Sequence, residues 1–155
     1  CSQIDGKQLD ATYLCKDLLL FGGKTALYNV AYPLILRGYS KQSANEIARQ
    51  ALQNMGIEPT VKVKKLSPTQ QVDVVLARLF ARNSTLVVID DFLPLLTDSQ
   101  RQSLMQFVEQ SNSFVVHFTS NVDLSFGATY LWYEDQIFTQ NIKEKMQNIF
   151  WLNNF

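Results

Sequence analysis

Two adjacent carboxylates follow a short apolar run in the second half of the chain. Residues 85–89 (Thr-Leu-Val-Val-Ile) are mostly β-branched and end at Asp90 and Asp91, which is typical of a strand buried on both faces of a parallel sheet. Acids at the carboxyl end of such a strand could hold a hydrated magnesium ion and orient a water molecule. They could equally cap the turn that leaves the strand, and the strand context alone supports both interpretations.

Two other stretches contain residues that could do chemistry. The run from Phe21 to Thr25 (Phe-Gly-Gly-Lys-Thr) ends like a phosphate-binding loop, but the earlier glycine that such a loop needs is Leu18, so the pattern favours a plain turn. His117 is the only histidine and lies in the apolar run 114–118, which favours a buried core histidine over a ligand. Catalytic triads and histidine metal clusters therefore have little support.

Helical and strand patterns alternate along the chain, which predicts an α/β fold. A strand is predicted over 9–16, with Leu9, Ala11, Tyr13 and Cys15 on one face. Helices are predicted over 25–36, with a break or bend at Pro33, over 40–55, from about 67 to 82 and from Thr97 to before Ser111. A second strand is predicted over 113–119, followed by a hairpin of 128–133 with 136–139. A closing helix is predicted from Ile142, Met146, Ile149 and Phe150.

Composition excludes several classes of protein. The 155 residues are 46% hydrophobic and 18% charged, which is a globular composition for about one domain rather than a disordered or collagen-like one. With 14 Lys plus Arg against 14 Asp plus Glu, no net field attracts nucleic acid, so a nucleic-acid partner is not expected. Two cysteines are too few for a disulfide framework. No apolar run approaches the length of a membrane span, and Cys1 in place of Met indicates processing or a piece of a longer chain.

Several stretches in register resemble the ATPase subunits of ABC transporters. Residues 66–71 (Leu-Ser-Pro-Thr-Gln-Gln), followed by Leu76-Ala77-Arg78, are similar to the signature helix of that family, and the run ending at Asp90-Asp91 is similar to its Walker B strand. Residues 29–34, 37–41 and 51–57 resemble its helical subdomain. The similarity is greatest to ATPases of the lipoprotein-release, macrolide-export and cell-division type.

The resemblance implies a partial P-loop NTPase-like sheet with flanking helices and an inserted helical subdomain. It places that subdomain at about 25–83 and the α/β core at 1–24 and 84–155, within one domain that lacks its N-terminal part. The Walker A loop of the family belongs upstream of Ile4.

The resemblance also implies the site residues, and most of them depart from the family pattern. Asp90 matches the metal-binding aspartate, while Asp91 and Ser120 stand at the positions of the catalytic glutamate and the switch histidine. The nucleotide-contacting positions are Lys16 in the Q-loop and Ser67 and Gln70 in the signature, where Pro68 and Thr69 replace two glycines. A lysine would repel the metal, and proline removes one N–H donor.

These departures predict a degenerate ATPase subunit that serves as a structural and docking component of a transporter-like complex. The expected partners are a membrane permease, an intact ATPase subunit, or both, in a homo- or heterodimer, with the chain cytoplasmic and peripheral to the membrane through its partner. No cofactor is expected for the chain alone, although ATP and magnesium could bind in the complex. The alternatives are a slow ATPase whose Walker A loop comes from other sequence, and an unrelated α/β binding module.

Overall fold

A computed structural model describes residues 3–4, 7–8, 10–118, 129–134, 137–141 and 149–152, with side chains described over 10–118. The chain divides into two compact units. The first comprises Cys1–Lys16, Ser84–Pro94 and Met105–Phe155, and the second comprises Asp17–Asn83 and Leu95–Leu104.

The first unit is built on a six-stranded sheet. Its strands lie in the order β3 (Ala11–Cys15), β4 (Leu86–Asp90), β5 (Phe114–Phe118), β8 (Ile149–Leu152), β6 (Thr129–Glu134) and β7 (Ile137–Asn141). All neighbouring pairs are parallel except β6 with β7, which are antiparallel. A separate antiparallel pair joins β1 (Gln3–Ile4) to β2 (Lys7–Gln8). The predicted α/β class and the predicted hairpin are confirmed.

Two predictions about these strands are wrong. Ile149 and Phe150 belong to β8, between β5 and β6, rather than to a closing helix, because the run Ile-Phe-Trp-Leu has the β-branched and aromatic side chains that suit a sheet. The earlier part of that predicted helix, including Ile142 and Met146, lies outside the described residues. On β3 the buried side chains are Thr12 and Leu14 together with Cys15, while Tyr13 is 46% exposed. The buried Thr12 hydroxyl is hydrogen-bonded with Ser84 Oγ at 2.7 Å, which offsets the cost of burying this polar group.

The second unit contains three helices whose ends follow the sequence signals. Helix α1 (Ala26–Leu36) has Thr25 as N-cap, and α2 (Lys41–Asn54) has Ser40 as N-cap and Gly56, with φ of +68°, just beyond its end. Helix α3 (Pro68–Arg82) ends at Asn83 in the left-handed conformation. Helix α1 runs through Pro33 without a break, and Ala26, Val30 and Leu34 anchor it in the core; the predicted alternative of a bend at Pro33 stays a prediction.

The core of the second unit is aliphatic and lies between these helices. It includes Val30 and Leu34 of α1, Leu52 of α2 and Val74 of α3, all almost completely buried.

Single turns of 3-10 helix cover Val63–Lys65 and Leu93–Leu95. Helix α4 (Asp98–Gln110) lies between β4 and β5 in the chain, as predicted, and the Thr97 hydroxyl just before it accepts from the Gln100 N–H at 3.3 Å. Within the described residues, no helix has the length and hydrophobicity needed to cross a bilayer.

Candidate nucleotide site

The carboxyl ends of three parallel strands bring the predicted metal position to one edge of the sheet. Asp90 is the last residue of β4 and is paired in register with Cys15 of β3 and Phe118 of β5. Lys16 follows Cys15 directly and is exposed. The first unit therefore places Asp90 and Lys16 at the edge where ligands bind in parallel α/β sheets.

The Asp90 carboxylate is already engaged by a neighbouring strand. The Tyr13 hydroxyl donates a short hydrogen bond to Asp90 Oδ2. Tyr13 is paired with Val88 in the ladder, and Val88 and Asp90 project from the same face of β4 because side chains alternate along a strand. A cation at Asp90 would have to share this oxygen with the hydroxyl or displace it.

Asp91 takes a backbone conformation that few non-glycine residues adopt. Its φ is 44°, in the left-handed region, which aspartate tolerates better than most residues. The Asp91 N–H donates to the Phe118 carbonyl at 3.1 Å, which ties the turn after β4 to the end of β5. Phe92 and Leu93 then bury completely. Asp91 thus forms the turn after β4, as one of the two sequence interpretations expected, and the binding of magnesium by the acids stays a prediction.

His117 lies in the core of the first unit. It is on β5 opposite Ile89 and is fully buried, as the apolar run predicted. Burial lowers the pKa of His117 from 6.5 to about 3, while the carboxylate of Asp90 acts in the opposite direction. The imidazole is therefore neutral at pH 7 and adds no positive charge beside Asp90.

The N-terminus of α3 in the second unit is closed by its own side chains. Ser67 Oγ accepts from the Gln70 N–H at 3.2 Å, and Gln70 Oε1 accepts from the Ser67 N–H at 3.0 Å, which is a capping box. Pro68 occupies the first position of the helix and has no N–H to donate. The two predicted nucleotide-contacting side chains are thus hydrogen-bonded to each other's backbone.

Gln100 links the start of α4 to the start of α3, a role that the sequence analysis missed. It is 5% exposed, and its Nε2 donates to the Thr69 carbonyl at 3.0 Å and to Asp73 Oδ1 at 2.6 Å. Its Oε1 accepts from the Thr97 N–H at 3.0 Å. A helix beginning at Thr97 was predicted, but nothing in the sequence indicated a partner about thirty residues away.

The loop from Phe21 to Thr25 is a turn rather than a phosphate cradle. The Lys24 N–H donates to the Phe21 carbonyl at 2.9 Å. The buried Asn29 amide closes the loop, accepting from the Phe21 N–H at 2.7 Å and donating to the carbonyls of Phe21 and Thr25 at 3.2 and 2.9 Å. The plain turn favoured by the sequence is therefore present.

Several residues of the predicted site are not brought into one described constellation. Ser120 lies outside the described residues. Asp90 and Asp91 belong to the first unit, and Ser67 and Gln70 to the second. Over the part of the chain whose side chains are described, no group of three or more His, Cys, Asp or Glu residues could hold a metal ion. A magnesium ion at Asp90 would thus need ligands beyond such a group, for example phosphate oxygens and water.

Comparison with known proteins gives both sequence and structural relatives. The methionine import ATP-binding protein MetN of Corynebacterium jeikeium is 28% identical over 113 residues, which are 72% of this chain and 31% of that protein. The lipoprotein-releasing system ATP-binding protein LolD of Hyphomonas neptunium is 30% identical over 106 residues, 64% of this chain and 46% of that protein. No family model matches the chain.

Solved structures agree with these relatives. The dimeric, post-hydrolysis ATP-binding cassette MJ0796 bound to ADP and Pi superposes with a TM-score of 0.61 at 24% identity, over 75% of this chain and 54% of that one. A second dimeric structure of MJ0796, a bacterial ABC transporter cassette, gives a TM-score of 0.59 at 25% identity, over 72% and 53%. The chain is therefore similar to ATP-binding cassette ATPases in both sequence and fold.

The match covers only part of each ATP-binding cassette relative. The chain spans about a third of the length of the MetN protein and less than half of the LolD protein. The predicted resemblance to ABC-transporter ATPases and the P-loop NTPase-like fold are confirmed, and the predicted domain boundaries, site residues and cofactors stay predictions. The hydrogen bond of Tyr13 to Asp90 and the contacts of Gln100 with α3 were not predicted from the sequence.

Proposed function

We propose that this ATP-binding cassette chain is a structural and docking subunit of a transporter complex, with little or no ATP hydrolysis of its own. The observation that carries the proposal is the N-terminus of α3. There Pro68 has a ring in place of a backbone N–H donor. The side chains of Ser67 and Gln70 each accept a hydrogen bond from the other residue's backbone N–H. A helix N-terminus attracts phosphate through free N–H groups and its dipole. This terminus retains the dipole but offers fewer donors.

The acids at the end of β4 support the same proposal. The Tyr13 hydroxyl competes with any metal ion for Asp90 Oδ2. Asp91 has a side chain one methylene shorter than glutamate, so a water molecule held by it would lie farther from a phosphate coordinated to a metal ion at Asp90. Lys16 at the same edge adds a positive charge that opposes magnesium. Each of these features slows metal-assisted hydrolysis.

An exposed aromatic surface on the second unit supports the docking role. Phe21, Tyr28 and Tyr32 form one ring cluster in which Phe21 is 53% and Tyr28 37% exposed. Large apolar side chains exposed together mark interaction surfaces. We propose a membrane permease or an intact cassette subunit as the partner, with the chain held at the cytoplasmic side of the membrane through it. The import and lipoprotein-releasing relatives give this proposal its context.

The proposal is tested by ATP turnover of the full-length protein with magnesium. The variants are Asp90→Asn as the inactive reference, and a restored chain carrying Pro68→Gly, Thr69→Gly and Asp91→Glu. We expect the wild type to match Asp90→Asn, and the restored chain to exceed both by about tenfold or more. Wild-type turnover well above that of Asp90→Asn would reject the proposal. It would favour the alternative, a slow ATP-hydrolysing subunit whose Walker A loop comes from other sequence.

A further inference from the structure

We infer that Asp90 is a structural hydrogen-bond acceptor in this chain, which joins β4 to β3 through the Tyr13 hydroxyl, and that it is not a magnesium ligand. The inference rests on the proposed function for the absence of chemistry at this site, and it adds what the carboxylate does there. Both residues lie in the first unit. We call them the Tyr13–Asp90 pair.

The groups around Asp90 do not fit magnesium. Cys15 of β3 and Phe118 of β5 are its register partners on the two neighbouring strands, so their side chains project from the same face of the sheet. A thiol and a phenyl ring are poor ligands for magnesium, which prefers oxygen atoms in octahedral geometry. The Tyr13 hydroxyl contacts the carboxylate as a hydrogen-bond donor. Asp90 therefore has a hydrogen-bond partner here, whereas its register partners supply no oxygen ligand.

The position of β3 gives this hydrogen bond a structural role. Strand β3 stands at one end of the strand order and has β4 as its neighbour in the described sheet. At its amino end, the Thr85 hydroxyl and the Leu86 N–H both donate to the Asp10 carbonyl at 3.1 Å. At its carboxyl end, the Tyr13–Asp90 pair joins the same two strands. Strand β3 is thus held to β4 by additional hydrogen bonds at both ends.

The exposure of the pair sets the size of its effect. Tyr13 is 46% exposed, and Asp90 is half-buried. Hydrogen bonds to a charged acceptor are about twice as strong as those between neutral groups, but water competes for the phenol at this exposure. We therefore expect the pair to change the folding equilibrium constant about fivefold, below the tenfold or more of a buried hydrogen bond to a charged group.

The test is a double-mutant cycle on the full-length protein, measured by urea unfolding of Tyr13→Phe, Asp90→Ala and the double variant. Each single substitution should lower the folding equilibrium constant about fivefold. The double variant should also lose about fivefold, rather than about twenty-five-fold, because the same hydrogen bond is lost only once. Tyr39→Phe is the matched control, since Tyr39 is 43% exposed and lies in the second unit. Its effect should be additive with that of Asp90→Ala.

Asp90→Asn and magnesium distinguish a structural acceptor from a metal ligand. The asparagine amide oxygen can still accept from the phenol, so the folding equilibrium constant of Asp90→Asn should stay within about twofold of the wild-type value. An ion that binds only the folded chain raises its thermal unfolding midpoint by mass action. Millimolar magnesium chloride should therefore change the midpoints of the wild type and Asp90→Asn equally.

Three results would contradict the inference. They are additive losses for Tyr13→Phe and Asp90→Ala, a loss for Asp90→Asn as large as that for Asp90→Ala, and a magnesium-dependent rise in the wild-type midpoint that Asp90→Asn abolishes. The last result would identify Asp90 as a metal ligand. ATP turnover is measured separately, so additive losses without turnover would reject this inference and leave the proposed function intact.

Discussion

Replacing Gln100 should destabilise the second unit far more than its position on a surface-type helix indicates. The Gln100 amide makes hydrogen bonds to Thr69, Asp73 and Thr97 while almost fully buried. A neutral hydrogen bond contributes about 1 kcal/mol and one to a charged group about 2 kcal/mol. Gln100→Ala also leaves the Thr69 carbonyl and the Thr97 N–H without this partner. Allowing for water reaching half-buried Asp73, we expect a loss of about 3 kcal/mol in the free energy of unfolding.

The loss is measured by urea unfolding of the wild type and of two comparison variants. Gln102→Ala removes an exposed glutamine from the same helix and should change the free energy by less than about 0.5 kcal/mol. Gln100→Glu keeps the acceptor for Thr97 but places a second carboxylate beside Asp73, so its loss should at least equal that of Gln100→Ala. Similar midpoints for Gln100→Ala and Gln102→Ala would refute the argument that the amide joins α3 to α4.

Two further predictions concern the pH dependence of stability and a strained turn. The unfolded chain takes up a proton on His117 near pH 6.5, whereas the folded chain resists it down to a pKa of about 3, so stability falls as the pH is lowered, by about 2 kcal/mol at pH 5. Urea unfolding at pH 7 and pH 5 should show this loss in the wild type and not in His117→Gln. Leu18 and Leu19 have φ of 54° and 46°, and Arg78 donates to their carbonyls at 3.1 and 2.9 Å. Leu19→Asn should therefore raise the free energy of unfolding by about 0.5–1 kcal/mol, because asparagine tolerates the left-handed region. Thermal unfolding measures this gain, and the control Leu36→Asn, which changes an exposed leucine in helix α1, should show none.

The helices were predictable from sequence because their signals are local. Ser40 and Thr97 have the residue type of N-caps and stand where two of the helices were predicted to begin, and each accepts the expected backbone N–H. Strand β4 was equally predictable, because a short β-branched run that ends in two acids is compatible with few structures other than a buried strand. Signals of this kind need only a few neighbouring residues.

The strand predictions failed where the answer depends on distant residues. Alternation along β3 is compatible with either face being buried, and the Thr12 bond to Ser84, seventy-two positions away, marks the buried one. The place of β8 between β5 and β6 likewise follows from pairing with strands that precede it by many residues. Tyr13 could have been paired with Asp90 only after the β3–β4 register was known.

The same distinction explains why a family match leaves the activity open. Packing positions of α3 and β4 keep the aliphatic side chains that bury the fold, including Val74, Leu76 and Ile89. The polar side chains at the helix and strand ends are instead used locally, by Ser67 with Gln70 and by Tyr13 with Asp90. A group that already makes a good hydrogen bond must lose it to bind phosphate or metal. The binding free energy is then weaker by about the contribution of that hydrogen bond. The fold can therefore persist while the nucleotide site weakens, and the restored chain separates these two properties by experiment.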